Sequence, residues 1–112
     1  METTQLKISE EGMIIKISCL GDISGSFALD LKDQLKSYVS QSKDVCIDLT
    51  QVSNLSLTGL NSILMAKAFA LANQNHVSLI VNANSEVLKQ LHLTKMTNQF
   101  EIIFSSAKQQ VA

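Results

Sequence analysis

One stretch decides the fold of this chain: residues 45–60 are VCIDLTQVSNLSLTGL. Residues 45–49 form a short apolar run with two β-branched side chains, a pattern typical of a central strand that is buried on both faces. Residues 50–54 are mostly polar and predict a turn. Residues 55–60 lead into a stretch that is helix-forming to about Asn73, and Ser56 is a candidate N-cap for this second helix. A strand followed closely by a helix is half of a β-α-β unit.

Further strands are predicted on both sides of this stretch. Residues 5–9 and 13–20 have the composition of strands, and the tight connection between them favours a hairpin. Residues 76–81 and 101–104 are two later β-rich apolar runs. With residues 45–49, the chain therefore has five predicted strands.

Two more helices are predicted between these strands. Residues 26–41 favour a first helix because apolar side chains recur on one face, namely Phe27, Leu31, Leu35 and Tyr38. A third helix follows Asn84 or Ser85, either of which can serve as its N-cap. The order ββαβαβαβ predicts one α/β domain over residues 1–112, in which a mixed, mostly parallel β-sheet packs against α-helices.

The composition limits the classes of function. The chain has 112 residues, of which 46% are hydrophobic and 17% charged, enough to bury one core. Nine Lys plus Arg balance ten Asp plus Glu, and no basic run is available to neutralise a phosphate backbone, which argues against a nucleic-acid partner. No positively charged start precedes an apolar segment, and no apolar run approaches the roughly 20 residues that span a bilayer. We therefore expect a cytoplasmic protein without membrane insertion.

No pattern of catalytic, metal-binding or cofactor-binding residues is present. Cys19 and Cys46 lie in predicted strands and are interpreted as reduced packing groups, the alternative being a disulfide that requires an oxidising compartment. Neither cysteine has a clustered histidine with which to bind a metal. Gly21 and Gly25 lack the third glycine and the lysine of a nucleotide loop. We expect no metal, no cofactor and no enzymatic activity.

Several short motifs occur together in a characteristic order. They are Gly21-Asp22-Ile23 before the first helix, Asp48-Leu49 at a strand end, Thr58-Gly59-Leu60 at the start of the second helix, and Leu91-His92-Leu93-Thr94 followed by Phe100. This series, which covers nearly the whole chain, resembles the STAS domain of bacterial anti-sigma factor antagonists. The resemblance implies a STAS-like fold and a role in transcription regulation by partner switching. In that mechanism an antagonist binds an anti-sigma factor that is also a serine kinase, and phosphorylation at the start of the second helix releases it.

The phosphoacceptor motif departs from the family pattern Asp-Ser-Ser-Gly-Leu. Aligned on Gly59, this chain has Leu57 at the acceptor position and Ser56 in place of the preceding aspartate, while Ser24 replaces an aspartate expected after Ile23. Ser56 and Thr58 are the remaining hydroxyl groups, and we take them as phosphorylation candidates. The alternative is that both stabilise the first turn of the helix.

The second helix is apolar on two sides. One predicted side faces the sheet and comprises Leu60, Ile63, Leu64, Ala68 and Leu71. Met65, Phe69 and Ala72 share a second stripe with Thr58, which we interpret as a surface for a partner; the alternative is that Met65 and Phe69 pack under a neighbouring helix. The predicted partner-binding residues are Ser24, Leu57, Thr58, Asn61, Met65 and Phe69.

The resemblance and these residues favour a protein-binding regulatory module of the anti-sigma factor antagonist type, with a degenerate phosphoacceptor motif. The expected partner is an anti-sigma factor or serine kinase. The alternative is a STAS subunit that is not phosphorylated and braces a larger assembly, such as a lipid-transport ATPase complex.

Overall fold

The computed structural model describes residues 5–23, 25–39, 44–83 and 85–105. Ser24 and Asn84, which the sequence singled out, lie outside the described residues. The elements in chain order are β1 (Gln5–Glu11), β2 (Ile14–Ile23), α1 (Gly25–Val39), β3 (Asp44–Leu55), α2 (Leu57–Ala72), β4 (Val77–Val81), α3 (Glu86–Leu93), a 3-10 helix (Met96–Asn98) and β5 (Glu101–Phe104). The predicted order ββαβαβαβ is confirmed, with the 3-10 helix added before the last strand.

The strands form one sheet in which spatial order equals chain order, β1-β2-β3-β4-β5. β1 and β2 are an antiparallel hairpin, and each later neighbour pair is parallel. Three successive crossovers therefore step in one direction across the sheet. Because such crossovers are right-handed, α1, α2 and α3 all pack on the same face. The sheet has one face under helices and one face that no described helix covers.

The prediction that residues 45–49 are buried on both faces is wrong. Val45, Ile47 and Leu49 are buried under the helices, whereas Cys46 and Asp48 on the opposite face are only partly buried. The physical reason is the winding of the chain, because a sheet that is built in one direction receives a helix layer on one side only. The alternation along β3 is therefore that of a strand with one buried face.

The prediction of a turn at residues 50–54 is also wrong. β3 continues to Leu55 alongside the end of β2, so Gly21, Asp22 and Ile23 are strand residues as well. Two shifts in the β2–β3 register each accommodate one extra residue of β3. At the first shift the Asp48 carboxylate accepts hydrogen bonds from Thr50 N at 2.9 Å and Thr50 Oγ1 at 2.6 Å. The polar residues that predicted a turn therefore lie within β3, where the register shifts make the strand irregular.

The core lies between the covered face of the sheet and the three helices. Its largest fully buried side chains are Ile15, Ile17, Leu31, Leu35, Ile47, Leu49, Leu55, Ile63, Leu79, Leu91 and Met96.

The prediction of which side of α2 faces the sheet is only partly correct. Leu60 and Ile63 are buried, but Ala68 and Leu71 are exposed and their places are taken by Ala66 and Ala70. α2 packs against α1 as well as against the sheet. Small side chains let the helix backbones approach closely, so the buried stripe of α2 includes Ala66 and Ala70.

The two cysteines lie on opposite faces of the sheet. Cys19 is buried under the helices, Cys46 lies on the opposite face, and both are free thiols. Burial, with a smaller contribution from the charge of Asp48, raises the pKa of the Cys19 thiol to about 12. Cys19 is therefore a neutral packing group at ordinary pH.

Candidate docking site at the start of the second helix

The predicted site residues surround the junction where β3 ends and α2 begins. This junction lies at the carboxyl end of a parallel strand, the edge at which α/β folds commonly place their functional groups. Leu55 is the last residue of β3 and is fully buried, and α2 starts two residues later. The junction thus anchors one end of the helix in the core and presents its first turn at the surface.

Ser56 is the N-cap of α2, as predicted. Its backbone is extended, with φ −72° and ψ 169°, and its Oγ accepts a hydrogen bond from Gly59 N at 3.1 Å. Its carbonyl accepts the first helical bond from Leu60 N at 2.9 Å. Such a cap satisfies one of the free N–H groups of a helix start and typically contributes about 1 kcal/mol. The Ser56 hydroxyl already has a structural role.

The two residues after Ser56 are at the surface. Leu57, at the family's acceptor position, is 79% exposed. Thr58 is exposed, and its carbonyl accepts a hydrogen bond from the buried Ser62 hydroxyl at 2.9 Å. Of the two candidate residues, Thr58 is the more exposed.

No sequence pattern predicts the role of Gln90, a residue of α3 that fixes the position of the junction. Its Nε2 donates to Leu55 O at 2.6 Å, and its Oε1 accepts from Leu55 N at 3.3 Å. β4 pairs with β3 only as far as Asp48, so the last residues of β3 extend past their neighbour. The Gln90 carboxamide replaces the missing strand at Leu55. A polar residue in a short helix carries no sequence signal for this contact.

The predicted partner stripe divides into an exposed and a packed part. Asn61 is exposed and Met65 is 37% exposed. Phe69 is half-buried against the core, and the Lys36 ammonium of α1 lies 5.2 Å from the centre of its ring. Phe69 thus packs beside the neighbouring helix, the alternative that the sequence left open. The exposed surface that remains comprises Leu57, Thr58, Asn61 and Met65.

Other candidate chemistry is sparse in the part of the chain that the structure describes. There, no three side chains of His, Cys, Asp or Glu come together in a way that would hold a metal ion. Asp48, besides its contacts with Thr50, forms an ion pair with Lys16 at 3.7 Å. None of the helices within these residues combines the length and the apolar character that a bilayer crossing needs. Ser24, the remaining predicted site residue, falls outside the described ranges.

Comparison with known families gives a direct match. The family model described as "Mlab, STAS domain" matches residues 5–103. The chain belongs to the STAS family. The resemblance indicated by the sequence motifs is confirmed, and the match extends from β1 to β5.

Solved structures share the fold of this STAS domain. An anti-sigma factor antagonist from Mycobacterium paratuberculosis is 18% identical, with a TM-score of 0.79 over 90% of this chain and 86% of that one. The unphosphorylated anti-sigma factor antagonist SpoIIAA is 11% identical, with a TM-score of 0.69 over 96% and 93%. The Bacillus cell fate determinant SpoIIAA in its phosphorylated form is 10% identical, with a TM-score of 0.71 over 97% and 96%. At these identities the likeness establishes the fold alone.

Proposed function

We propose that this STAS domain is a protein-docking module of the anti-sigma factor antagonist type, which binds its partner through the start of α2. The observation that carries the proposal is the exposure of Leu57, an apolar side chain with 79% of its surface in water at a helix start. Isolated exposed leucines are common, but here Thr58, Asn61 and Met65 continue the exposed surface along the same helix. Clusters of this kind are typical of protein interfaces.

The module acts by binding and not by catalysis, in the cytoplasm, on an anti-sigma factor or serine kinase. Support comes from the family match and from the lack of a nucleophile and base pair in the described site. The candidate hydroxyl groups at the start of α2 belong to Ser56 and Thr58, and the hydroxyl of Ser56 accepts a hydrogen bond from Gly59 N.

Where the domain is switched by phosphate, Thr58 is the acceptor. A phosphoryl group on Thr58 would lie in the first turn of α2, where free backbone N–H groups and the helix dipole favour negative charge. The same charge next to Leu57 and Met65 would have to lose its water when a partner covers them. Folding would be little affected, while partner binding would be weakened.

The second candidate function is that of an unswitched STAS subunit that braces a larger assembly, such as a lipid-transport ATPase complex. One specific observation favours it: the family's acceptor position is occupied by Leu57, which has no hydroxyl group. An exposed leucine there would bind an apolar pocket on the partner, and phosphorylation at that position could not release it.

Intact-mass measurement separates these two functions. The parent, Ser56→Ala, Thr58→Ala and Leu57→Ser are purified from source cells and their intact masses compared. A switched antagonist carries one phosphate in the parent and in Ser56→Ala, and loses it in Thr58→Ala. An unswitched subunit carries none, and Leu57→Ser stays unmodified as well.

Partner binding then tests the surface itself. Leu57→Glu and Met65→Glu should each lower the amount of partner that copurifies, with Leu71→Glu, about 21 Å from Leu57 along α2 and near the other end of the helix, as the matched control. If all three variants retain the partner equally, the docking site is not at the start of α2.

A further inference from the structure

The face of the sheet opposite the helices contains a trough. Cys46 on β3 and Ser78 on β4 are register neighbours in the middle of this face, and both side chains are small. Ile14 and Lys16 on β2 form one wall, and Glu101 and Ile103 on β5 form the other. The cavity between them has a volume of about 490 Å³. The trough exists because the two central strands carry small residues where their neighbours carry long ones.

Such a face is unusual for the class of sheet. Sheets of parallel strands almost always have both faces covered, because β-α-β crossovers place helices there. Here four of the five strands are parallel, yet no helix of the described residues lies on this side. Ile14 is consequently 47% exposed and Ile103 39% exposed. The missing layer is the one that an α-helix fills in other α/β proteins.

The dimensions of the trough suit one helix. Its walls are three strand spacings apart, about 14 Å. An α-helix with its side chains is about 10 Å across and packs along the strands of a sheet. Ile80, in the row beyond Ser78, lines one end of the trough, and Asp44 and His76 line the other. A helix of two or three turns fits with its apolar side over Cys46 and Ser78.

The charges of the trough specify the flanks of that helix. Lys16, the cation of this lining, is engaged by Asp48 at 3.7 Å. Glu101 is exposed and forms no ion pair with any other residue that the structure describes. Asp44 accepts a hydrogen bond from His76 N at 2.9 Å, which leaves its negative charge in place. The uncompensated charge is negative, so a complementary helix carries Lys or Arg beside its apolar stripe.

A second copy of this chain fits poorly. β3 is the middle strand of five, so two sheets stacked face to face about a twofold axis would bring β3 against β3. With the twofold axis along the strands, Asp44 would then lie close to its own counterpart. Like charges at an interface disfavour that pairing.

We propose that the trough on the helix-free face of the sheet binds an amphipathic helix of a partner protein, with basic residues flanking its apolar stripe. This surface lies on the opposite side of the sheet from α2 and does not depend on the proposed docking site there. With both surfaces occupied, the domain links two proteins.

The test uses two synthetic helical peptides of 18 residues, about 27 Å long. Both have the same leucine stripe; one has Lys flanks and the other has Glu flanks. Each is titrated into the isotope-labelled protein while backbone amide signals are followed. The Lys-flanked peptide should shift the signals of Cys46, Ser78 and Ile103, leave those of Leu57 and Thr58 in place, and bind more tightly than the Glu-flanked peptide.

Two variants test where the peptide binds and whether its binding depends on the negative charge of the trough. Ser78→Phe fills the trough and should abolish binding of the Lys-flanked peptide, whereas Ala72→Phe, on the exposed side of α2, should bind as the parent does. Glu101→Lys should weaken binding of the Lys-flanked peptide about two- to fivefold and strengthen binding of the Glu-flanked one. If Ser78→Phe fails to fold, Glu101→Lys alone decides the outcome.

Several outcomes overturn the proposal. They are shifts confined to α2, equal binding of the two peptides, or no shift at millimolar peptide. Self-association of the parent that Ser78→Phe abolishes would instead assign the trough to a second copy of the chain.

Discussion

The carboxamide of Gln90 pairs with both backbone groups of Leu55, donating to its carbonyl at 2.6 Å and accepting from its N–H at 3.3 Å. Leu55 is fully buried and directly precedes Ser56, the N-cap of α2. One side chain of α3 therefore satisfies the end of β3 and sets the direction in which the second helix leaves the sheet. The docking surface depends on this contact for its position.

Removing the Gln90 carboxamide should lower the stability of the folded domain. Gln90→Leu keeps a similar volume but leaves a buried N–H and a buried carbonyl unpaired, for which we expect a loss of about 1–3 kcal/mol in the free energy of unfolding. Lys89→Leu, one residue away and exposed, should change stability by less than about 0.5 kcal/mol. Urea unfolding of the two variants measures the difference. Equal stabilities would show that the Gln90 contact contributes nothing.

The N-cap of α2 can be tested apart from any partner. Ser56→Ala removes the acceptor for Gly59 N and should lower the free energy of unfolding by about 1 kcal/mol. Ser56→Asp keeps an acceptor at the cap and should retain most of the stability. Thermal melts rank the three proteins, and a fully stable Ser56→Ala would argue against the cap.

The two ends of the predicted partner stripe should respond differently to a charge. Phe69→Glu places a carboxylate among core side chains and replaces the ring beneath Lys36, so we expect a loss of at least about 1–3 kcal/mol. Met65→Glu, nearer the start of α2, should stay within about 0.5 kcal/mol of the parent. Calorimetry of the two variants provides the comparison. A strongly destabilised Met65→Glu would mean that Met65 belongs to the core.

Cys19 makes stability depend on alkaline pH. Its pKa is raised to about 12 in the folded domain against 9.0 for an ordinary thiol, so the unfolded chain loses the proton first as pH rises. The contribution is fully present below pH 9 and declines above it. Between pH 9 and 10 the parent should lose about 1 kcal/mol more than Cys19→Ala.

Denaturant unfolding at the two pH values measures this difference. A matching alkylation experiment should label the partly exposed Cys46 before Cys19. Parallel pH profiles of parent and variant would contradict the raised pKa.

How far the sequence predicts this structure differs from element to element. The alternation of strands and helices was predictable because apolar residues recur with one period in strands and another in helices. Ser56 was predictable as an N-cap because few residue types suit that position. The extension of β3 beyond Leu49 was not, since polar residues such as Thr50 and Asn54 favour a turn and only pairing with β2 makes them a strand. Tertiary pairing overrode local preference there.

The candidate site was predictable in part. The exposure of Leu57 and Thr58 follows from their place at a helix start, whereas the side of α2 that packs does not follow from its pattern. α2 is apolar nearly all round, so no single stripe stands out, and contact with α1 decides that Phe69 is covered and Leu71 is not. The role of Gln90 depends on residues 35 positions apart, a distance that no local pattern spans.

The match between strand order and chain order also governs how the domain tolerates re-engineering. β1 and β5 are the two outer strands of the sheet, so the described chain enters at one edge and leaves at the other, four strand spacings or about 19 Å apart. A circular permutant that joins Phe104 directly to Gln5 needs a linker long enough to cross the whole sheet, and two or three residues between these positions would be under tension. Two copies joined in tandem, from Phe104 of one to Gln5 of the next, can use a shorter linker. β5 and β1 are both outer strands, so the second copy can lie beside the β5 edge of the first without the linker crossing a sheet.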